Sequence, residues 1–291
     1  MGNFLQLDGT KGVTIKQHKK MVKNINRNVD IFIYGVKAFT PIVTNPVYKI
    51  LVNSHDKEED FHTNLPIYRD YEGLNISDNN LVYNEYTGLF WIWNNWELKD
   101  YIGVNHYRRY YDFLDKVPNI NELFKGHKII LNQKFPLQLE GKPANNRDFY
   151  AEWHNVKDFD LMGEIVKELY PEYASGWDKM AESTYIYPSS IFIMPKKLFN
   201  EYMQYIFDVT EEFNDRIGCQ TNEDYIKHVE AHKDEYVRET HKYYTVQMQA
   251  RIIGYLIERC LCAFLMSGGA KSLEANSLQL PWHVYNVTYN V

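Results

Sequence analysis

The 291-residue chain has 32 Lys and Arg against 38 Asp and Glu, a net charge of −6, and 15% aromatic residues. An excess of acid over base argues against nucleic acid as the main partner, because a duplex binder presents a basic face. Cys219, Cys260 and Cys262 lack CxxC spacing, which points to buried thiols in a reducing compartment rather than a disulfide frame or zinc site.

The N-terminal stretch holds Lys11, Lys16, Lys19, Lys20, Lys23 and Arg27 with no acid among them. It reads either as a solvated arm or as a helix lying on an anionic membrane surface. Residues 1–46 are therefore set apart as a basic arm and extension, and 47–291 as the main domain. No signal-peptide pattern is visible, and the most apolar run, Ile252 to Met266, is interrupted by Glu258 and Arg259 and is too short to span a bilayer. A cytoplasmic protein is expected, with peripheral contact at the inner membrane surface as an option.

Asp30 to Val36 and Val47 to Val52 read as buried strands, separated by Pro41 and Pro46, and the second delivers His55-Asp56-Lys57. The block Gly73 to Tyr110 is the densest part of the chain. Ser77 and Asp78 stand where an N-cap is expected, and Val82, Tyr86, Leu89, Trp93 and Trp96 follow at three- and four-residue spacing, so one continuous amphipathic helix is predicted. Tyr101 to Val104 then reads as a short strand that ends at Asn105, His106, Arg108 and Arg109. Ligands of open α/β sheets bind beyond the carboxyl ends of strands. Two guanidiniums with a histidine between them suit an anion. The plainer alternative pairs both arginines with Asp112 or Asp115.

Further along, residues 132 to 150 are polar and form a candidate lid, and residues 158 to 170 a helix. Asp158-Phe159-Asp160 is the single Asp-x-Asp and a weak metal candidate, better read as an N-cap and first-turn acid. Ile191 to Met194 is a strand; Leu198 to Phe213 and Val246 to Met266 are helices. On the last, Arg251, Tyr255, Glu258 and Arg259 form one polar stripe, as a ligand site or a buried ion network. Asp224 is a candidate general base or a cap. Trp153-His154 and Trp282-His283 each pair a flat ring with an imidazole, for a sugar or for packing. Alternating strands and helices favour an α/β sandwich.

The segments Asn84 to Asn95 and Tyr101-Ile102-Gly103-Val104-Asn105-His106-Tyr107-Arg108-Arg109-Tyr110 resemble the HYRRY-signature family of bacterial capsular and exopolysaccharide glycosyltransferases. Ile50 to Lys57, Tyr187 to Met194 and Arg251 to Arg259 agree with it. The resemblance spans roughly residues 48 to 285. It implies a GT-A-like nucleotide-sugar-binding α/β fold with a central, mostly parallel sheet and additional C-terminal helices. It also implies a UDP-sugar as co-substrate and a glycan or lipid-linked oligosaccharide as acceptor. Where the family usually has an Asp before Asn-Ile-Ser, this chain has Leu74, so no donor contact carries over there.

Under that resemblance the leaving diphosphate needs Mn²⁺ or Mg²⁺ or fixed cations, and the acceptor needs a base. His55, Asn105, Arg108, Arg109, Arg251 and Arg259 are the candidate donor-binding residues, and His106, Glu85 and Asp224 the catalytic ones. His106, Asp158 and Asp160 are the metal candidates. The alternatives are a noncatalytic carbohydrate-binding module and a phosphoryl-transfer or phosphate-ester enzyme using the Arg/His cluster.

Overall fold

The computed structural model describes residues 28–237 and 245–290; the basic stretch lies outside them. Among the described residues one nine-stranded sheet organises the molecule. Its strands are β1 (Val29–Gly35), β2 (Tyr48–Val52), β3 (Ile67–Arg69), β4 (Tyr101–His106), β5 (Arg109–Tyr111), β6 (Ile129–Asn132), β7 (Phe192–Pro195), β8 (Ser277–Leu280) and β9 (Trp282–Val284). The order is β8-β6-β7-β4-β1-β2-β3, with β5 hydrogen-bonded to β4 and β9 to β5. Strands β4, β1, β2 and β3 form a parallel block. β7 is antiparallel to both β4 and β6, so β6 runs the same way as β4.

β1 lies at the centre of this sheet, so a division at residue 46/47 cuts through one core. The cause is sequence alternation that fills both faces. Phe32 and Tyr34 pack with Leu51, Ile102 and Val104 against the helices, whereas Ile31 and Ile33 pack with Ile50, Val52, Ile193 and Phe39 on the other side. A strand apolar on both faces is stable only with cover on both.

The main helices are α1 (Asn80–Tyr83), α2 (Tyr86–Asn95), α3 (Asn146–Trp153), α4 (Val156–Leu169), α5 (Ala174–Glu182), α6 (Lys196–Ile217), α7 (Asn222–Ala231), α8 (Val246–Gln249) and α9 (Ile252–Met266). Two expected long helices are broken. A short 3₁₀ turn, Ser77–Asn79, leads into α1, and the residue before it, Ile76, makes no side-chain cap. The chain then leaves helical geometry at Asn84, with φ 53°. Asparagine is among the few non-glycine residues that tolerate positive φ. The break puts Glu85 at the start of α2 rather than inside one continuous helix. α8 and α9 are likewise parted, at Ala250-Arg251.

α2 crosses the sheet where Gly88 meets Tyr34; a Cβ there would lie 2.5 Å from ring carbons of Tyr34. The polar segment after β6 forms one small antiparallel ribbon of its own, Gln138–Leu139 with Lys142–Pro143, and pairs Phe135–Pro136 antiparallel with Tyr185–Ile186 from beyond α5. The N-cap of α4 is Asn155, whose side chain accepts from Lys157 N, so the helix opens earlier than predicted. The three cysteines are buried and free. No helix among the described residues is long and apolar enough to cross a membrane.

Candidate active site

The chain builds β1, β2 and β3 outward in one direction and then returns to place β4 on the other side of β1. That reversal is a topological switch point, where the carboxyl ends of neighbouring strands leave a crevice. Tyr34 of β1 is aligned with His106 of β4, and Tyr107 N donates to Tyr34 O at 2.8 Å. At this point a cleft of about 370 Å³ opens. Its walls include Tyr34, Gly35, Asn80, Asn84, Glu85, His106, Tyr107, Arg108, Gln247, Met248, Arg251 and Tyr289.

One wall is cationic. Arg108 is exposed and lies over the Tyr107 ring, 5.5 Å from its centroid, and Tyr107 in turn stacks on Tyr289 at 4.5 Å. The two acids that could have neutralised the arginines are used elsewhere among the described residues. Asp112 pairs with His283 at 2.6 Å, and Asp115 accepts from the backbone of Thr44 and Asn45. Arg251 lies across the cleft, its Nε donating to Asn84 Oδ1 at 2.7 Å. Arg109 stands behind, partly buried, with Nε unpartnered among the described residues.

His106 is neutral at ordinary pH. Burial, then the charges of Arg109 and Arg108, pull its pKa down to about 3, and its Nδ1 is buried with no partner among the described residues. A neutral imidazole offers one N–H donor and one lone pair. A metal cation at His106 would sit beside two guanidiniums, which oppose it.

Glu85 is the acid of the cleft. Burial, then the carboxylate of Glu258, push its pKa up to about 7, while Arg251 and Arg109 pull it down. It therefore exchanges a proton near neutrality, the range useful to a general base.

Behind the cleft wall is a polar knot that sequence reading missed. Asp70, fully buried, accepts from Thr87 Oγ1 at 2.7 Å, Tyr34 OH at 3.1 Å and Asn53 Nδ2 at 2.9 Å. Asn80 Nδ2 donates to Tyr34 OH at 2.7 Å. The knot ties β1, β2, α1 and α2 together at the switch point. An isolated Asp followed by Tyr and Glu gives no signal of this in sequence.

The other expected residues fall outside the cleft. Asn105 alternates to the opposite sheet face from His106, where both its amide atoms are buried with no partner among the described residues. His55 is exposed and stacks on Tyr71 at 4.2 Å. Arg259 is buried away from the cleft lining; it donates to Tyr255 O at 2.8 Å, lies over Tyr150 and approaches Glu258 Oε2 at 3.5 Å. Asp224 closes the capping box of α7 with Thr221 and is not positioned as a base. His154 stacks on Tyr255 of α9 at 4.0 Å, and Trp153 packs beside Phe149 while its carbonyl accepts from Gln249 Nε2 at 3.1 Å.

Asp158 and Asp160 do not form a metal pair. Asp160 is engaged by Arg147 at 2.8 and 2.6 Å, whereas Asp158 is buried and accepts from Tyr236 OH at 2.9 Å. Among the described residues no group of three or more His, Cys, Asp or Glu side chains is arranged to hold a metal ion. Burial pushes the Asp158 pKa up to about 7. A carboxyl with a raised folded pKa stabilises below its unfolded pKa and loses that contribution as pH rises through the folded one. Asp158→Asn, which keeps the acceptor for Tyr236, should therefore gain stability over the parent as pH rises from 4 to 8. The gain should reach about 2–4 kcal/mol, read by urea unfolding at each pH. A pH-independent difference would contradict the buried, neutral carboxyl.

The model of a family described as a domain of unknown function (DUF4422) matches residues 30–241. The chain belongs to this family. No curated protein matches it by sequence. Among solved structures it is similar to a WbbM bifunctional glycosyltransferase determined in the apo state, with a TM-score of 0.66 and 22% identity. The alignment covers 90% of this chain and 46% of that one, so this DUF4422 chain spans about half the length of its structural neighbour. The likeness establishes the fold, a mixed α/β architecture around a largely parallel central sheet. The match begins at residue 30, one residue into β1.

Proposed function

We propose that this DUF4422 chain is a glycosyltransferase that moves a sugar from a nucleotide diphosphate, a UDP-sugar first, to a glycan or lipid-linked oligosaccharide acceptor of a bacterial surface polysaccharide. The observation that carries the reading is the cleft at the β1/β4 switch point. It brings an exposed arginine, a second arginine, a neutral histidine and a proton-exchanging glutamate to one place. The fold likeness to a glycosyltransferase supports it.

In this reading the diphosphate lies between Arg108 and Arg251, whose fixed charges meet the negative charge that develops as the sugar leaves. His106, neutral, donates an N–H to a phosphate oxygen without adding a charge that Arg108 would repel. Tyr107 and Tyr289 form an aromatic wall fit for a ring of the donor. Glu85 takes the proton of the acceptor hydroxyl. Mn²⁺ or Mg²⁺ remains a co-ligand to test.

A thermal-shift titration with UDP, UDP-sugars and other nucleotide diphosphates, with and without Mn²⁺ or Mg²⁺, tests the reading. A ligand at 100 times its Kd stabilises the native state by about 2.7 kcal/mol, so UDP should raise the melting temperature. Arg108→Ala should remove most of that shift and cut turnover at least roughly tenfold, the cost of about one charge-assisted hydrogen bond. No shift with any nucleotide would favour a glycan-binding module. Phosphate release without a sugar acceptor would favour a phosphate-ester enzyme.

A further inference from the structure

The buried knot behind the cleft has a polarity, and that polarity decides what Asn80 shows to the cleft. Thr87 Oγ1 donates to Asp70 Oδ2 at 2.7 Å, and Tyr34 OH to the same oxygen at 3.1 Å. With both protons spent on the carboxylate, the two hydroxyl oxygens are left as acceptors. Asn80 Nδ2 lies 2.7 Å from Tyr34 OH and 3.0 Å from Thr87 Oγ1, and also 2.8 Å from Asn84 O. A backbone carbonyl can only accept, so the amide nitrogen is the group turned inward. The reverse orientation would set Oδ1 against the Asn84 carbonyl, lone pair against lone pair.

The consequence is an acceptor on the cleft wall. Asn80 is half-buried and lines the cleft, and no donor among the described residues reaches its Oδ1. Asn84 holds this acceptor beside a cation. Its carbonyl takes the Asn80 amide, and its side chain takes Arg251 Nε at 2.7 Å. Asn84 does so at φ 53°, a conformation that persists in a non-glycine residue where the surroundings over-determine it, most often at functional sites.

We propose that Asn80 is a specificity-determining residue whose Oδ1 accepts a hydrogen bond from a sugar hydroxyl adjoining the diphosphate. The proposal rests on the glycosyl-transfer reading, in which Arg251 binds the diphosphate. In a nucleotide sugar both neighbours of the diphosphate are sugars, the ribose on one side and the transferred sugar on the other, and the base lies one ribose further away. A neutral acceptor next to a phosphate-binding arginine is therefore placed for a hydroxyl, and it adds no charge to repel the phosphates.

Isothermal titration of the parent and of Asn80→Ala with UDP, 2′-deoxy-UDP, 3′-deoxy-UDP, UDP-glucose and UDP-galactose tests this. If the hydroxyl is the ribose's, one deoxy ligand should bind the parent about three- to tenfold more weakly than UDP, the value of one neutral hydrogen bond. Asn80→Ala should then bind that ligand and UDP alike. If it is the transferred sugar's, Asn80→Ala should bind UDP as the parent does and lose about three- to tenfold for at least one UDP-hexose. A loss equal for every ligand, or no loss at all, overturns the proposal, and Asn80 then only braces the knot. A parent that binds no nucleotide overturns the glycosyl-transfer reading and the proposal with it. Should Asn80→Ala fail to fold, the Asn80 ¹³Cγ resonance of the parent decides. It should move downfield with the ligand that carries the hydroxyl and less with the one that lacks it; an unmoved resonance with every bound ligand overturns the proposal.

Discussion

Replacing Glu85 with Gln should lower turnover by about 10²- to 10⁴-fold, the range lost with a general base, while UDP still binds with nearly the parent affinity. The glutamate lines the same cleft as Arg108 and Arg251, and the break at Asn84 places it at the start of α2, facing inward. Its burial and the Glu258 charge hold its pKa at about 7, so at pH 8 the folded protein keeps an ionised carboxyl that its surroundings oppose. The sign of the stability effect follows. The folded pKa lies above the ordinary glutamate value, so the group's favourable contribution is complete below about pH 4.5 and is lost as pH rises through 7. Glu85→Gln should therefore be more stable than the parent at pH 8 and nearly equal to it at pH 4. Loss of turnover together with a gain of stability marks a group kept for chemistry at the expense of the fold. A variant that loses both would place Glu85 in the structural framework instead.

The strands at the switch point were legible because both of their faces are covered and their residues are apolar almost without interruption, as in Val29 to Gly35 and Tyr48 to Val52. The cluster after β4 was legible for the opposite reason: charge directly following such a run has few structural explanations. Of that cluster the structure brings His106 and Arg108 to the cleft, with Arg251 from far along the chain. Asn105 lies off the cleft because strand alternation turns it to the other face, a one-residue difference that composition cannot report. Arg259 and Arg251 share a stripe in sequence, yet one is buried over Tyr150 and the other opens to the cleft. The break at Asn84 was hidden by apolar spacing that continues across it, from Val82 through Tyr86 to Leu89. Tyr34, Asn80, Asp70 and Tyr289 were not legible at all, since each acquires its role only by tertiary contact with a segment tens to hundreds of residues away. Asp224, by contrast, carried a clear local signal, Thr221 three residues before it, and the structure follows that capping signal.

Gly254→Ala should destabilise the protein by about 1–3 kcal/mol, the usual cost of overpacking, although the same change in an exposed helix interior gains about 1 kcal/mol. The reason is local to the site. A Cβ on residue 254 would fall 1.7 Å from Asn84 Nδ2 and 2.7 Å from its Cγ, so the Asn84 side chain must leave. When it leaves, Arg251 loses its acceptor, and the turn that aims Glu85 loses the contact that holds it at positive φ. UDP affinity and turnover should both fall with stability, as expected if α9 sets the two walls of the cleft. Asn84→Gly separates the causes, because glycine takes positive φ freely and has no side chain to collide. In the double variant the methyl added at position 254 should be accommodated, so its stability should lie at least about 1 kcal/mol above the sum of the single effects, as read by urea unfolding. The lost arginine anchor would not return, and UDP affinity should stay weak. Additive stability effects would mean that helix and turn are energetically independent, and Arg251 would then owe its place in the cleft to something other than Asn84.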